Sequence, residues 1–183
     1  MSSLYLIRHG KTQANLDHVY CGSTDIPLSQ TGRQELKTLH YDIHPDVVLT
    51  SGMKRTEETL AILFGPVEHH LEPELREIDF GDFEMKGYEE LKERADYQTW
   101  ITGDNEANVP PNGESGNQMT DRVLKAIRPL LDSDQSTLVV THGGVIAAIM
   151  AELFPEEGKY RYQWQPVPGH GYAIQDGHYR PIP

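Results

Sequence analysis

Three short apolar runs in this chain end alike, in polar side chains followed by glycine. They are "LYLIRHG" at 4–10, "VVLTSG" at 47–52 and "LVVTHGG" at 138–144. A run this short is apolar on both faces, and it suits a central strand of a parallel sheet better than a helix. Strands are expected at 4–7, 47–49, 66–69 and 137–140. The stretches between them carry helical spacing. Residues 30–39 follow a cap at Ser29 or Thr31. Leu60, Leu63 and Phe64 share one helix face, as do Met119, Val123, Ile127 and Leu130, and 143–154 is apolar almost all round, as a buried helix would be. Alternating strands and helices predict an α/β fold: a three-layer α/β/α sandwich with a mostly parallel central sheet.

The rhythm breaks twice. Residues 72–116 read as an insertion over the sheet edge within a single domain spanning 1–183. The tail from Tyr160 reads as short antiparallel strands, with Asp176-Gly177 as a hairpin turn. Lys and Arg number 16 against 28 Asp and Glu, a formal net charge of −12. That sign argues against nucleic acid and anionic membrane surfaces as partners. The single cysteine, Cys21, excludes an intramolecular disulfide and any CxxC motif. No apolar run approaches the roughly 18 residues of a membrane span. A soluble cytoplasmic protein is the simplest reading, and a homodimer is an assembly the sequence leaves open.

In a parallel sheet the strand C-termini share one edge, so Arg8-His9-Gly10, Ser51 with Arg55, and His142-Gly143-Gly144 can meet there. Two arginines and two histidines around one point match a phosphoryl group. Arginine supplies forked donors for its oxygens, and neutral histidine can attack phosphorus when its other nitrogen is tied. A poor alkoxide leaving group then needs a proton, and Glu77 is the best placed of the carboxylic acids around it, which include Glu74, Asp79, Asp82 and Glu84. No His, Cys or carboxylate spacing suggests a metal, and no cofactor is called for.

Six blocks in order, "LIRHGKTQANL", "YCGSTDIPLSQTGRQE", "LTSGMKRTEETL", "ELREIDFGDFEM", "PPNGES" and "VVTHGGVIAAI", resemble the histidine phosphatase superfamily in its phosphoglycerate mutase-like first branch. The resemblance implies that His9 is a nucleophile that becomes phosphohistidine. It implies further that Arg8, Arg55 and His142 hold the phosphate oxygens and that Glu77 is the proton donor. Asn15, with Thr12 nearby, is implied as a further phosphate ligand. Cys21, Gly22 and the backbone amide of Gly143 fall where the family contacts substrate. "IDFGDFEM" and "PNGES" are most similar to α-ribazole phosphatases, although Phe83 stands where Trp is common and Met85 where Gly is usual. The implied partner is a small phosphate monoester, hydrolysed without metal or cofactor. The alternatives are a bisphosphoglycerate-dependent mutase, a broad-specificity phosphatase, and a catalytically inactive phospholigand-binding protein. No cation lies between Arg94 and Arg122, which favours hydrolysis. For a bulky aromatic leaving group, Phe83, Met85 or Tyr88 are expected to supply apolar surface.

Overall fold

The computed structural model describes residues 2–104 and 106–183, so Asn105, within the expected insertion, lies outside the described residues. Six strands, β1 (Leu4–Arg8), β2 (Val47–Thr50), β3 (His70–Leu71), β4 (Thr137–Thr141), β5 (Gly171–Gln175) and β6 (His178–Ile182), form one sheet in the order β3-β2-β4-β1-β5-β6. The first four of that order run parallel; β5 joins β1 antiparallel and pairs with β6. The expected hairpin turn is present: Asp176 and Gly177 both have positive φ, the backbone a tight two-residue hairpin requires.

Strand pleating divides the core. Leu4 and Leu6 of β1 and Val139 of β4 face one side, where they pack with α6 (Gly116–Leu131) and α7 (Gly143–Leu153). Ile7, Leu138 and Val140 face the other side, against Leu60 of α3 (Lys54–Phe64). Helices therefore cover both faces, as the alternation predicts. The stripe on α6 is the expected one: Met119, Val123 and Ile127 are buried at steps of four, and Ser115 and Gln118 close a capping box at its start. Each such side chain contributes about 1.5–3 kcal/mol by leaving water.

Two element boundaries differ from expectation. Residues 66–69 do not pair. Only the last two residues of β2 find a third strand, at His70–Leu71, and Val67 owes its apolar character to packing beside α3. The helix α2 (Gln30–Leu36) ends before residue 39, because the chain tightens into bonds three residues apart from Thr38 to Glu35 and from Leu39 to Leu36.

The middle segment holds the short helices α4 (Tyr88–Leu91) and α5 (Ala95–Thr102), and it lies over the C-terminal ends of the strands. The Thr141 hydroxyl donates to the Leu75 carbonyl at 2.6 Å, and the Glu72 amide to Thr50 at 2.8 Å. The segment has its own small core of Phe83, Leu91 and Tyr97, packed with Tyr20 and Trp100. Among the described residues, no helix is long and apolar enough to cross a membrane.

Candidate active site

The parallel register sets the site. Arg8 lies opposite Thr141 and Thr50 opposite Val140, so β1, β4 and β2 end side by side and release His9, His142 and Ser51 at one level. The His9 amide donates to the Thr141 carbonyl at 2.9 Å, which fixes the exit of the chain. The Gly10 amide donates to the Thr59 hydroxyl at 3.0 Å, which ties the turn to α3.

His9 is buried, and its Nδ1 lies 2.6 Å from the Gly10 carbonyl. A carbonyl only accepts, so Nδ1 carries the hydrogen and Nε2 keeps its lone pair. His142 is also fully buried, with its ring 5.2 Å from that of His9. Its Nε2 is 2.8 Å from the Ser51 hydroxyl, while its Nδ1 is buried without a partner among the described residues. Burial first, then the charges of Arg55 and Arg8, push His9 well below the ordinary imidazole range. His142 is lowered by burial and then by Arg55. Both rings are therefore neutral at physiological pH.

Arg55, in the first turn of α3, is 1% exposed yet has no carboxylate partner among the described residues: its guanidinium donates to the carbonyls of Thr24 at 2.9 Å and Gly22 at 2.6 Å. Asp25 instead caps the Lys54 amide, and Glu57 pairs with His69. Arg8 donates from Nη1 to the Pro166 carbonyl at 2.8 Å and keeps a buried Nε without a partner among the described residues. Burial lowers its pKa while the charge of Glu77 raises it. Two guanidiniums with donors to spare face two neutral imidazoles, which is the charge pattern that welcomes a dianion.

Glu77 completes the ring of groups. Its Oε2 accepts from the Gly144 amide at 2.9 Å, at the start of α7, and its Oε1 from the Ile78 amide at 3.0 Å. A Cβ on Gly144 would come 2.5 Å from Oε1, so a bare backbone is what admits the carboxylate. The Gly143 residue opens α7 beside it. Thr12 and Asn15 form a capping box at α1 (Gln13–Asp17), with Asn15 Oδ1 accepting from the Thr12 amide at 2.9 Å. Cys21 is half-buried, its thiol pushed up by burial and donating weakly to the Thr24 carbonyl. The Gly22 amide donates to Glu84 and its carbonyl accepts from Arg55, so this residue braces the arginine.

Three features escape a reading of the sequence. Arg122 pairs bidentately with Glu114 at 2.7 and 2.9 Å and also donates to the carbonyls of Glu74, Arg76 and Glu77, clamping the segment that carries Glu77. Glu84 gathers the amides of Gly22, Ser23 and Phe80 and the hydroxyl of Thr24. Neither leaves a clear local signal, because most of their partners are groups some 45 to 62 residues away, and most of those are backbone. Ser51 stands out in the sequence as a strand-end hydroxyl, but its bond to His142, 91 residues away, has no local signal.

Beside Glu77 opens a cavity of about 190 Å³, walled by Phe80, Trp100, Met119, Tyr162 and Gln165. The expected apolar residues are not its lining. Phe83 is 0% exposed, because the tight turn Gly81–Phe83 points it inward against Tyr97 and Trp100; Met85 and Tyr88 are exposed elsewhere. Among the described residues, no group of three His, Cys, Asp or Glu is arranged to hold a metal ion.

The model of the histidine phosphatase superfamily (branch 1) matches residues 4–171. The adenosylcobalamin/α-ribazole phosphatase of Escherichia coli K12 is 34% identical over 173 residues, covering 87% of this chain and 84% of that protein. A 2,3-bisphosphoglycerate-dependent phosphoglycerate mutase of Cytophaga hutchinsonii is 31% identical, covering 84% and 78%. The crystal structure of the α-ribazole phosphatase from Shigella flexneri superposes with a TM-score of 0.84 at 32% identity, covering 98% of this chain and 95% of that one. With its buried histidine pair at the ends of a parallel sheet, the chain belongs to the histidine phosphatase superfamily, in branch 1, and is an enzyme of that family.

Proposed function

We propose that this enzyme is a metal-independent phosphomonoesterase that works through a phosphohistidine at His9, with α-ribazole 5′-phosphate as its substrate. The observation that carries the chemistry is the His9 ring, held neutral with Nδ1–H on the Gly10 carbonyl and Nε2 free. In the first step Nε2 forms a bond to phosphorus as the bond from phosphorus to the leaving oxygen breaks. Arg8, Arg55, the Asn15 amide and His142 receive the charge spread over the phosphoryl oxygens. If Ser51 donates its hydroxyl hydrogen to Nε2 of His142, Nδ1 carries a hydrogen and acts as a donor. The Gly144 and Ile78 amides hold the Glu77 carboxyl in place beside the pocket. In this step the Glu77 carboxylic acid gives its proton to the leaving alkoxide. In the second step the Glu77 carboxylate takes a proton from water, water oxygen bonds to phosphorus, and His9 is released neutral with phosphate.

The substrate reading rests on similarity to relatives named α-ribazole phosphatase at 30–36% identity, and on the aromatic wall of the cavity beside Glu77. A flat, apolar leaving group suits Phe80 and Trp100. We also read the chain as one domain, with 72–116 as an insertion; its support is the single sheet that pairs β1 with both β4 and β5. The test is kcat/KM for α-ribazole 5′-phosphate against 3-phosphoglycerate at one pH. A preference of at least about tenfold, roughly 1.4 kcal/mol, is expected. A preference for 3-phosphoglycerate, or mutase activity with bisphosphoglycerate, would remove the α-ribazole reading.

A further inference from the structure

We propose that Arg161 determines which leaving groups the cavity beside Glu77 accepts, by donating a hydrogen bond to an oxygen of an uncharged, hydroxyl-bearing leaving group. The proposal rests on the reading above that this cavity takes the leaving group. Arg161 lies in the turn Arg161–Trp164, in the chain beyond α7, and lines the cavity together with Tyr162 and Gln165. Its guanidinium lies against the backbone of Gly116. A Cβ there would come 2.8 Å from Nη2 and 3.0 Å from Nη1, so the first residue of α6 leaves open the space the arginine fills. That is an unfavourable address for a cation, because the start of a helix carries the positive end of its dipole.

Glu106 offsets the charge, with its Oε1 3.0 Å from Nη2. Nη1 has no such relief: it is buried, with no hydrogen-bond acceptor among the described residues. A donor closed off from water and left unpaired costs free energy. An acceptor oxygen arriving through the cavity, met by a small swing of the guanidinium, removes that cost.

The pairing with Glu106 also fixes the kind of acceptor. One guanidinium and one carboxylate sum to no net charge, and the other carboxyl group on the wall, Glu77, brings no positive charge. The cavity thus offers a donor without offering positive potential. A second phosphate or a carboxylate on the leaving group would meet no free cation, whereas a sugar hydroxyl or ring oxygen would meet an unused N–H. Phe80, Trp100 and Tyr162 supply flat apolar surface around it. Together these features fit an aromatic group carried on a sugar.

The test compares wild type, Arg161→Ala and Glu106→Gln on four esters: α-ribazole 5′-phosphate, ribose 5-phosphate, 3-phosphoglycerate and p-nitrophenyl phosphate, whose leaving group has no sugar. Arg161→Ala is expected to lower kcat/KM at least about tenfold on both sugar esters, mainly through KM, and less than about threefold on p-nitrophenyl phosphate. Glu106→Gln, which frees the positive charge, is expected to raise kcat/KM for 3-phosphoglycerate relative to p-nitrophenyl phosphate by at least about threefold. A loss of folded enzyme would lower every substrate equally, so the ratios between substrates are the readout. Equal losses on all esters with Arg161→Ala, or no loss on the sugar esters, would overturn the proposal even if wild type prefers α-ribazole 5′-phosphate. If wild type shows no such preference but Arg161→Ala still separates ribose 5-phosphate from p-nitrophenyl phosphate, the substrate reading falls and the role of Arg161 stands.

Discussion

The phosphate pocket and the cavity beside it are built in opposite ways. The pocket comes from strand ends and a helix start, elements held by the sheet, and its side chains are buried and either charged or kept neutral by burial and by the arginines: His9, His142 and Arg55 are each at most 5% exposed. The cavity comes mostly from the segment between β3 and α6 and from the chain after α7, with Met119 of α6 and Gly144 of α7, and Phe80, Trp100 and Tyr162 give it aromatic surface. A rigid sheet edge suits a reaction whose geometry never changes, since every phosphate monoester presents the same three oxygens. Loops suit the part that varies from substrate to substrate. On the proposed function, fixed chemistry sits on the sheet and choice sits on the loops.

That contrast can be attacked by substitution. The largest effect is expected in the pocket. Arg55→Ala removes a cation and also frees the Gly22 and Thr24 carbonyls, and it should lower kcat/KM about a thousandfold on every ester tested. A loss confined to one substrate would blur the division between the two regions. Glu77 sits on the border. Glu77→Gln keeps the hydrogen-bonding shape but cannot give a proton, so it should cost about a hundredfold or more on alkyl phosphates and less than about tenfold on p-nitrophenyl phosphate. Equal losses on both would assign Glu77 to binding or to water activation. Trp100→Ala, in the cavity, should raise KM about tenfold for α-ribazole 5′-phosphate and hardly move kcat on p-nitrophenyl phosphate.

The smallest effect concerns the stability of the buried histidines. Both imidazoles have folded-state pKa values well below the unfolded 6.5, because burial and the two arginines oppose their charging. Below pH 6.5 the unfolded chain therefore binds protons that the native pocket refuses. The stabilisation is present above that pH and is lost as pH falls towards the folded values. Each ring contributes at most about 1.4 kcal/mol per pH unit. Denaturant melts between pH 4.5 and 7.5, with wild type beside His142→Gln, should show a shallower dependence in the variant. An unchanged slope would mean that the ring is charged or solvated in the native state.

The same division governs what the sequence reveals. The strand-end arginine and the two histidines stand at fixed offsets from apolar runs, and register alone brings them together, so Arg8, His9 and His142 can be found by pattern. Arg55 follows because α3 begins directly after its strand. The cavity depends on how loops close. Phe80 and Phe83 are three residues apart and alike in chemistry, and the turn entered at Gly81 sets Phe83 inside the small core while Phe80, packed on the outside of that core, also lines the cavity. The Arg122–Glu114 clamp acts on carbonyls some 45 residues away, with nothing in its neighbourhood to announce it. Arg161 lies past the gap in cations that favoured hydrolysis, and its neutralisation by Glu106 comes from a contact across 55 residues of chain.

Covalent chemistry at His9 is the claim on which the rest depends. Rapid quenching without acid during turnover of a ³²P-labelled ester, followed by gel separation, should give a labelled protein that is acid-labile and base-stable. Peptide mapping should place the label on His9, and His9→Ala should abolish both label and turnover. A variant that keeps more than about a tenth of the rate, or a label that maps to another residue, would contradict the account.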